Sequence, residues 1–274
     1  MFDIKIRLIS MLGLLTVIVL IGLVLDYHKV FRRHKIIGSS VAMLGIGVGV
    51  FLTLCAVLPE NNVFGRVFFE SKTPHKVVAL TFDDGPYSPY TEQVLDILKE
   101  SNVPATFFLV GQNVDKYPEV VRRMALEGHQ LGNHTYHHVD LLKNDSTVIA
   151  EELDRTSKAI LAVTGAAPHV VRPPHGFRDP VVMQVMAERG LTVVEWSVMG
   201  RDWTNPGVEA IVDRVVTKVK NGSIILLHDG DGIASEASRN QSVEATRRII
   251  QTLRTQDYEF VTVDEILSKT EDRK

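Results

Sequence analysis

Two long apolar runs near the N-terminus constrain the fold of this chain more than any other feature. Leu8 to Leu25 has eighteen residues without a charge, and Ile36 to Leu58 has twenty-three. Each is close to the roughly 20 residues that a helix needs to cross a bilayer. They predict two transmembrane helices, at about 8–25 and 36–58, in a membrane anchor formed by residues 1–58.

The alternative is a cleaved signal peptide followed by a buried core helix. Lys5 and Arg7 resemble the positive start of a signal peptide. However, the stretch VLDYHKVFRRHK has no small-x-small cleavage site, and the second run is long and evenly apolar. The sequence therefore favours two membrane spans.

Basic residues set the expected orientation of the spans. The connecting loop has four of them: Lys29, Arg32, Arg33 and Lys35. Only Lys5 and Arg7 precede the first span. The positive-inside rule therefore predicts a cytoplasmic loop, a cell-membrane location and an extracytoplasmic domain after Pro59.

Charge and cysteine usage exclude several kinds of site. The net charge is −3 and no basic patch stands out beyond the loop, so nothing suggests a nucleic-acid partner. The single cysteine, Cys55, lies in the second apolar run, which excludes an intrachain disulfide and a thiolate metal site. Any metal must be bound by histidine and carboxylate side chains.

Strand-like and helical patterns alternate after the anchor. Residues 59–75 are rich in turn residues and predict a linker, whereas KVVALTF begins a series that includes LTVVEWSV as one strand and ends with DEILSK. Repeated strand–helix alternation predicts an α/β fold with a parallel sheet and helices outside it. The simplest form is a barrel of seven or eight units over residues 76–270.

Polar clusters follow the predicted strands. They are Asp83 and Asp84, His134 to His138, Arg172 to His175, Asp202, and His228 with Asp229. In a parallel barrel the carboxyl ends of all strands open on one face, where active sites are built. The five clusters are therefore expected to converge on one cleft.

The histidine pair predicts a metal site. His134 and His138 are four residues apart, which on a helix or tight turn sets two imidazoles on one side. Two histidines and one carboxylate of the Asp83–Asp84 pair have the composition of a catalytic zinc site, and the second carboxylate could take a proton from water. Surface histidines and an Asx-type turn are the plainer alternatives; His137 is expected to lie outside the ligand set.

The remaining clusters supply candidate partners for this chemistry. His228 follows an apolar strand and is the best candidate for the proton donor to the leaving group, with Asp202 to orient it. Arg172 could form a structural ion pair or keep the base carboxylate ionised. Trp196 and Trp203 offer apolar faces for a sugar ring, and one of them is expected to belong to the core.

Five short motifs, in order, resemble those of the polysaccharide deacetylases with the NodB homology domain, carbohydrate esterase family four. They are TFDDGP, HTYHH, RPPHG, RDW and ILLHD. The resemblance covers about Lys76 to Leu267, and the motifs together are very specific. It implies a distorted (β/α) barrel, in agreement with the strand–helix count.

The resemblance also implies a role for each matching position. Asp83 would be the general base, supported by Arg172, and His228 would be the general acid, tuned by Asp202. The implied ligands of a divalent metal, zinc with cobalt or nickel as alternatives, are Asp84, His134 and His138. The positions expected to contact the substrate are Pro173, His175, Leu226 and Trp203.

One position departs from the family pattern. The third motif commonly has Tyr before its Gly, whereas this chain has His175. The family uses the backbone N–H at this position to help hold the oxyanion, and a histidine still supplies that N–H. Side-chain contacts to the substrate are expected to differ.

The resemblance implies metal-dependent removal of N-acetyl groups from N-acetylglucosamine residues, with release of acetate. An extracytoplasmic, membrane-anchored domain makes peptidoglycan the leading polymer. Chitin oligomers, exopolysaccharides and O-acetylated xylan are alternatives. A catalytically silent glycan-binding homologue and a cytoplasmic amidohydrolase of small cyclic amides are disfavoured by the complete acid–base set and by the two spans.

Overall fold

The structure, a computed structural model, describes residues 7–27, 35–234 and 237–271. The basic residues Lys29, Arg32 and Arg33 lie outside the described residues. The cytoplasmic location of their loop therefore stays a prediction.

The described ranges contain ten α-helices and eight β-strands. The helices are α1 (Leu8–Tyr27), α2 (Lys35–Val57), α3 (Tyr90–Ser101), α4 (Gly111–Lys116), α5 (Pro118–Leu126), α6 (Ser146–Thr164), α7 (Pro180–Glu188), α8 (Val208–Val216), α9 (Asn240–Thr255) and α10 (Val263–Glu271). The strands are β1 (Val77–Asp83), β2 (Thr106–Leu109), β3 (Gln130–Asn133), β4 (Val170–Val171), β5 (Thr192–Val193), β6 (Val198–Met199), β7 (Ser223–His228) and β8 (Glu259–Val261).

The strands form one curled parallel sheet with β1 at its centre. The order is β5-β4-β3-β2-β1-β7-β6, and β8 pairs with the first half of β1. All seven residues of β1 are buried, as expected for a parallel strand that is covered on both faces. Val78, Leu80 and Phe82 pack with α3 and α9 in the main core, whereas Val77 and Ala79 face a second cluster inside the sheet.

The prediction of one strand in LTVVEWSV is wrong. The structure has two short strands there, β5 and β6, because the chain crosses from β4 near one edge of the sheet to β7 near the other. Before the crossing, Val194 N–H donates to Val171 O of β4. After it, Ser197 N–H donates to Ile224 O of β7. Phe68, from the segment between the anchor and the sheet, pairs with the backbone between the two strands. Its N–H donates to Val193 O at 2.9 Å and its carbonyl accepts from Glu195 N–H at 2.7 Å.

The two N-terminal helices pack against each other in antiparallel fashion. Gly45 lies against Val19 and Gly49 against Leu12, so both glycines allow close approach of the helices. Among the described residues only one helix is by itself long and apolar enough to cross a membrane, over Ser39–Val57. The apolar part of α1, Leu8–Val24, is shorter, and two membrane spans therefore stay a prediction.

Candidate active site

Two adjacent carboxylates end the central strand and face the same imidazole. Strand alternation puts Thr81 and Asp83 on the inner face of the sheet. Asp84 would point the other way, but its φ of 78° ends the alternation. His134 Nε2 therefore lies 3.8 Å from Asp83 Oδ2 and 3.5 Å from Asp84 Oδ1.

The two predicted histidine ligands lie in a turn after β3. Thr135 has a φ of 64° and His138 a φ of 54°, so the segment curls back instead of continuing as a helix. Asn133, which sequence reasoning missed, holds this turn. Its Oδ1 accepts from Thr135 N–H at 2.9 Å and its Nδ2 donates to Leu153 O at 2.8 Å.

Asp84, His134 and His138 have the geometry of a metal site. One donor atom from each side chain lies within 4.8 Å of the others. Asp84 Oδ1 is buried without a hydrogen-bond partner, 3.1 Å from His138 Nε2. His134 Nδ1 lies 2.7 Å from Arg172 O, a carbonyl that only accepts, so Nδ1 carries the proton and Nε2 offers a lone pair. This donor set fits a divalent ion of the zinc type.

The charge states of Asp84 and His138 suit metal binding. Burial lowers the pKa of His134, but the charges of Asp83 and Asp84 outweigh this effect, and the net result is a raised pKa. Burial raises the pKa of Asp84, but the neighbouring His134 and the charges of His138 and His228 outweigh it, and the net effect is a lowered pKa. Burial lowers the pKa of His138 to about 4, against the opposing effect of Asp84. The carboxylate is therefore ionised and the His138 imidazole neutral at physiological pH, which are the forms that bind metal.

Arg172 is fully buried and pairs with Asp83. Its Nη1 donates to Asp83 Oδ1 at 2.7 Å and to Thr81 Oγ1 at 2.9 Å. Its Nε and Nη2 donate to the carbonyls of Val194 and Glu195, each at 3.1 Å. The guanidinium is therefore held in a fixed orientation against the carboxylate.

His228 and Asp202 form a second pair. Asp202 Oδ1 lies 2.9 Å from His228 Nδ1, and Oδ2 accepts from His228 N–H at 2.8 Å. Ser242 Oγ in α9 donates to the same Oδ2 at 2.6 Å, a contact that no sequence motif indicated. Burial lowers the pKa of His228, but the charge and hydrogen bond of Asp202, with the charges of Asp84 and Asp83, raise it to about 9.

Two of the predicted substrate contacts lie at the rim of the cleft. His175 is exposed, has a φ of 60°, and its ring centroid lies 5.0 Å from that of His138. The Trp203 side chain is 42% exposed, and its ring lies 5.1 Å from His228. Both rings therefore lie beside the candidate catalytic histidines.

The other two predicted contacts, Pro173 and Leu226, are buried. Trp196 is also buried and lies beside Arg172, so it is the core tryptophan of the two. His137 bonds through both its N–H and its ring to Glu152 and lies outside the metal-ligand group.

Comparison with known proteins finds similarity to polysaccharide deacetylases. The family model described as polysaccharide deacetylase matches residues 70–194. The chain is 40% identical over 210 residues to a peptidoglycan-N-acetylglucosamine deacetylase of Bacillus cereus, covering 76% of this chain and 96% of the relative. It is 42% identical over 194 residues to a chitooligosaccharide deacetylase of Sinorhizobium fredii, covering 69% and 90%.

A solved structure resembles this fold closely. It is a peptidoglycan N-acetylglucosamine deacetylase in complex with 4-naphthalen-1-yl-N-oxidanyl-benzamide. The two share 36% sequence identity with a TM-score of 0.69 over 73% of this chain and 92% of that one.

Proposed function

We propose that this chain, which belongs to the polysaccharide deacetylase family, carbohydrate esterase family four, hydrolyses N-acetyl groups of N-acetylglucosamine residues in peptidoglycan and releases acetate. Membership makes the chain a polysaccharide deacetylase. Two of the relatives described above are named for peptidoglycan N-acetylglucosamine, which supports this choice of polymer.

One observation carries the proposal: a candidate base, a candidate metal site and a candidate acid lie next to one another at the carboxyl ends of neighbouring strands. Asp83 and the metal-site residue Asp84 both face His134, each with a carboxylate oxygen within 3.8 Å of its Nε2. His228 ends β7 directly beside Asp83 at the end of β1, with the two residues in register. A carbonyl carbon bound between them would have a base on one side and an acid on the other.

Asp83 acts as the general base in this proposal. Its Oδ1 accepts from Arg172, so Oδ2 is the oxygen that takes a proton from the attacking water. Because four hydrogen bonds fix the guanidinium, the base is held in one orientation.

Asp84, His134 and His138 would hold a divalent ion, zinc by preference with cobalt or nickel as alternatives. When bound there, it would polarise the acetyl carbonyl and lower the pKa of water. The backbone N–H of His175 would add a hydrogen bond to the developing oxyanion. The unpartnered, buried Asp84 Oδ1 supports this assignment.

His228 acts as the general acid. Its Nδ1 is engaged by Asp202, which leaves Nε2 to protonate the departing amine. A pKa of about 9 keeps the imidazole protonated at neutral pH. The nitrogen stays on the sugar as a free amine, acetate leaves, and Trp203 flanks the sugar ring.

Chitin oligomers are a second candidate substrate class, because the Sinorhizobium fredii relative is named a chitooligosaccharide deacetylase. Exopolysaccharide and acetylated xylan remain alternatives from the motifs alone. A silent glycan-binding role is disfavoured, because a pure binding protein has no use for both Asp83 and His228.

The test is acetate release by the full chain in detergent from peptidoglycan and from N-acetylglucosamine oligomers. We expect release from peptidoglycan, its loss with a chelator, and its recovery with added zinc, cobalt or nickel. Release from the oligomers alone would favour the second candidate. No release from any glycan with metal present would refute the proposal.

We further propose that α1 and α2 anchor the chain in the cell membrane, with the catalytic domain outside. Large apolar side chains are exposed on both helices, among them Ile9, Leu14, Leu20, Met43, Leu44 and Phe51. A soluble protein rarely exposes so large an apolar surface. A C-terminal reporter should be active only outside the cytoplasm; activity inside would contradict this topology.

A further inference from the structure

One loop of the catalytic domain binds the start of α1. Asp179, fully buried between β4 and α7, caps two helices at once. Its Oδ1 accepts from Val182 N–H of α7 at 3.0 Å, and its Oδ2 accepts from Leu8 N–H of α1 at 3.1 Å. Arg7 Nε lies 3.1 Å from the same Oδ2, so a charge pair reinforces the cap.

The neighbouring residue, Arg178, binds the end of α2. Its backbone N–H donates to Ala56 O at 3.1 Å. Its Nη2 donates to Leu58 O at 2.5 Å and to Asn61 O at 2.9 Å. Arg178, only 1% exposed, therefore bonds carbonyls in the last turn of α2 through its backbone N–H and just after the helix through its guanidinium. We call these contacts of Arg178 and Asp179 with the anchor the clamp.

Hydrogen bonds order the chain between α2 and the sheet. Val67 N–H donates to Asn62 Oδ1 at 2.7 Å, and Phe68 is paired with the sheet. Leu8 and Ala56 are buried together in an apolar cluster with Leu142 of the domain packed against it. The segment after α2 is therefore bonded along its length, unlike a flexible tether.

The clamp lies at the same end of the sheet as the active site. Arg178 follows Arg172 and His175 in the loop that leaves the carboxyl end of β4. Arg7 Nη2 donates to Leu141 O at 2.6 Å, in the loop that leaves β3 and carries His138. The anchor therefore docks onto two of the loops that build the cleft.

No spacer separates the clamp from the apolar surface of the anchor. Leu8, the first residue of the apolar run, is itself bonded to Asp179, and Ile9 is exposed. One helical turn is about 5 Å, so the hydrocarbon boundary lies within about that distance of the clamp. The cleft loops are then close to the bilayer surface.

We propose that the clamp holds the cleft at the bilayer surface, so that the enzyme deacetylates N-acetylated glycans carried on a lipid of the same membrane, at the sugars nearest the lipid. This inference rests on the proposed deacetylase function and membrane anchor. A freely tethered domain would reach sugars at all distances, whereas a clamped domain has a fixed reach.

The test uses the full chain in lipid nanodiscs. The substrate is a long β-1,4-linked N-acetylglucosamine oligomer coupled through its reducing end to a phospholipid in the same disc, and the free oligomer serves as reference. A release variant combines Arg7→Glu with a Gly-Ser segment of about 20 residues between Glu60 and Asn61, which adds about 25 Å of reach. The matched control has the same segment between Ala166 and Ala167, an exposed turn.

Mass spectrometry of fragments locates the deacetylated sugars. For the unaltered chain and the control, we expect about tenfold more deacetylation at the lipid end than at the far end, because the fixed reach limits access. The release variant should lose this preference and still hydrolyse the free oligomer at an unchanged rate. An even distribution in the unaltered chain would overturn the inference, as would a preference that survives in a release variant in which the distance measurement below shows that the clamp is lost.

A distance measurement tests the clamp without relying on catalysis. Spin labels at Met43 in α2 and Leu126 on the domain, both exposed, are introduced in a Cys55→Ala background. We expect a narrow distance distribution that broadens in the release variant. A broad distribution in the otherwise unaltered chain would refute the clamp, whereas a narrow one with no hydrolysis of the free oligomer would refute only the deacetylase proposal.

Discussion

Arg172 Nη1 donates to Asp83 Oδ1 at 2.7 Å, and the guanidinium is fully buried while the carboxylate is 5% exposed. Removing one partner of such a pair leaves the other as an uncompensated buried charge. A substitution that breaks the pair would therefore destabilise the fold as well as remove the candidate base. Variants that test the base must keep the shape and the hydrogen bonding of the side chain.

Asp83→Asn meets this requirement, because the amide oxygen can still accept from Arg172. We expect acetate release to fall by about 10²–10⁴-fold, the usual contribution of a general base. Metal content should stay unchanged, because Asp84, His134 and His138 are intact. Acetate release and metal content are measured on the same preparation.

The matched control is Asp145→Asn, at the N-cap of α6. Asparagine caps helices as well as aspartate does, so the rate should be unchanged. Full activity of Asp83→Asn would remove this residue from the role of base.

The metal site predicts opposite outcomes for two neighbouring histidines. His138→Ala removes one of three ligands and should abolish both zinc retention and acetate release. His137→Ala removes the ring contacts with Glu152 and Tyr136 and should retain both. Metal analysis after dialysis, with acetate release, checks the pair. Zinc retained by His138→Ala and lost by His137→Ala would contradict the ligand assignment.

Local sequence predicts the parts of the site that lie next to one another in the chain. The sequence predicts that Asp83 and Asp84 lie together, because an apolar strand ends there at a Gly-Pro turn and the alternation of side chains breaks. Ser242, by contrast, reaches Asp202 from a helix forty residues away, and nothing around it marks that contact. Contacts of this kind depend on how distant helices pack, which no short motif records.

The error in LTVVEWSV has a similar physical origin. The run reads as one strand because its residues are apolar, but the backbone of Glu195 pairs with Phe68, a residue from the predicted linker. Arg178 and Asp179 likewise bind an anchor that precedes them by more than a hundred residues. Sequence patterns give the elements here, but not which distant segment completes the sheet.

The histidine that replaces the family's usual tyrosine should affect binding more than turnover. His175→Gly keeps the backbone N–H and tolerates the φ of 60°, but removes the ring beside His138. We expect KM for an N-acetylglucosamine oligomer to rise while kcat changes by less than about tenfold. Steady-state kinetics separate the two. A large loss of kcat at unchanged KM would instead assign the imidazole a part in the chemical step.

The pH profile tests His228 as the acid. The acid must be protonated, so activity should fall as pH rises through its pKa, which Asp202 helps to raise to about 9. A divalent ion at Asp84 offsets nearby negative charge, so the alkaline limb of the metal-loaded enzyme should lie somewhat lower. Asp202→Asn removes the charge that opposes burial and should shift the limb down by about one pH unit or more. Ser242→Ala keeps the charge and should shift it less; an alkaline limb unmoved by Asp202→Asn would show that another group is the acid.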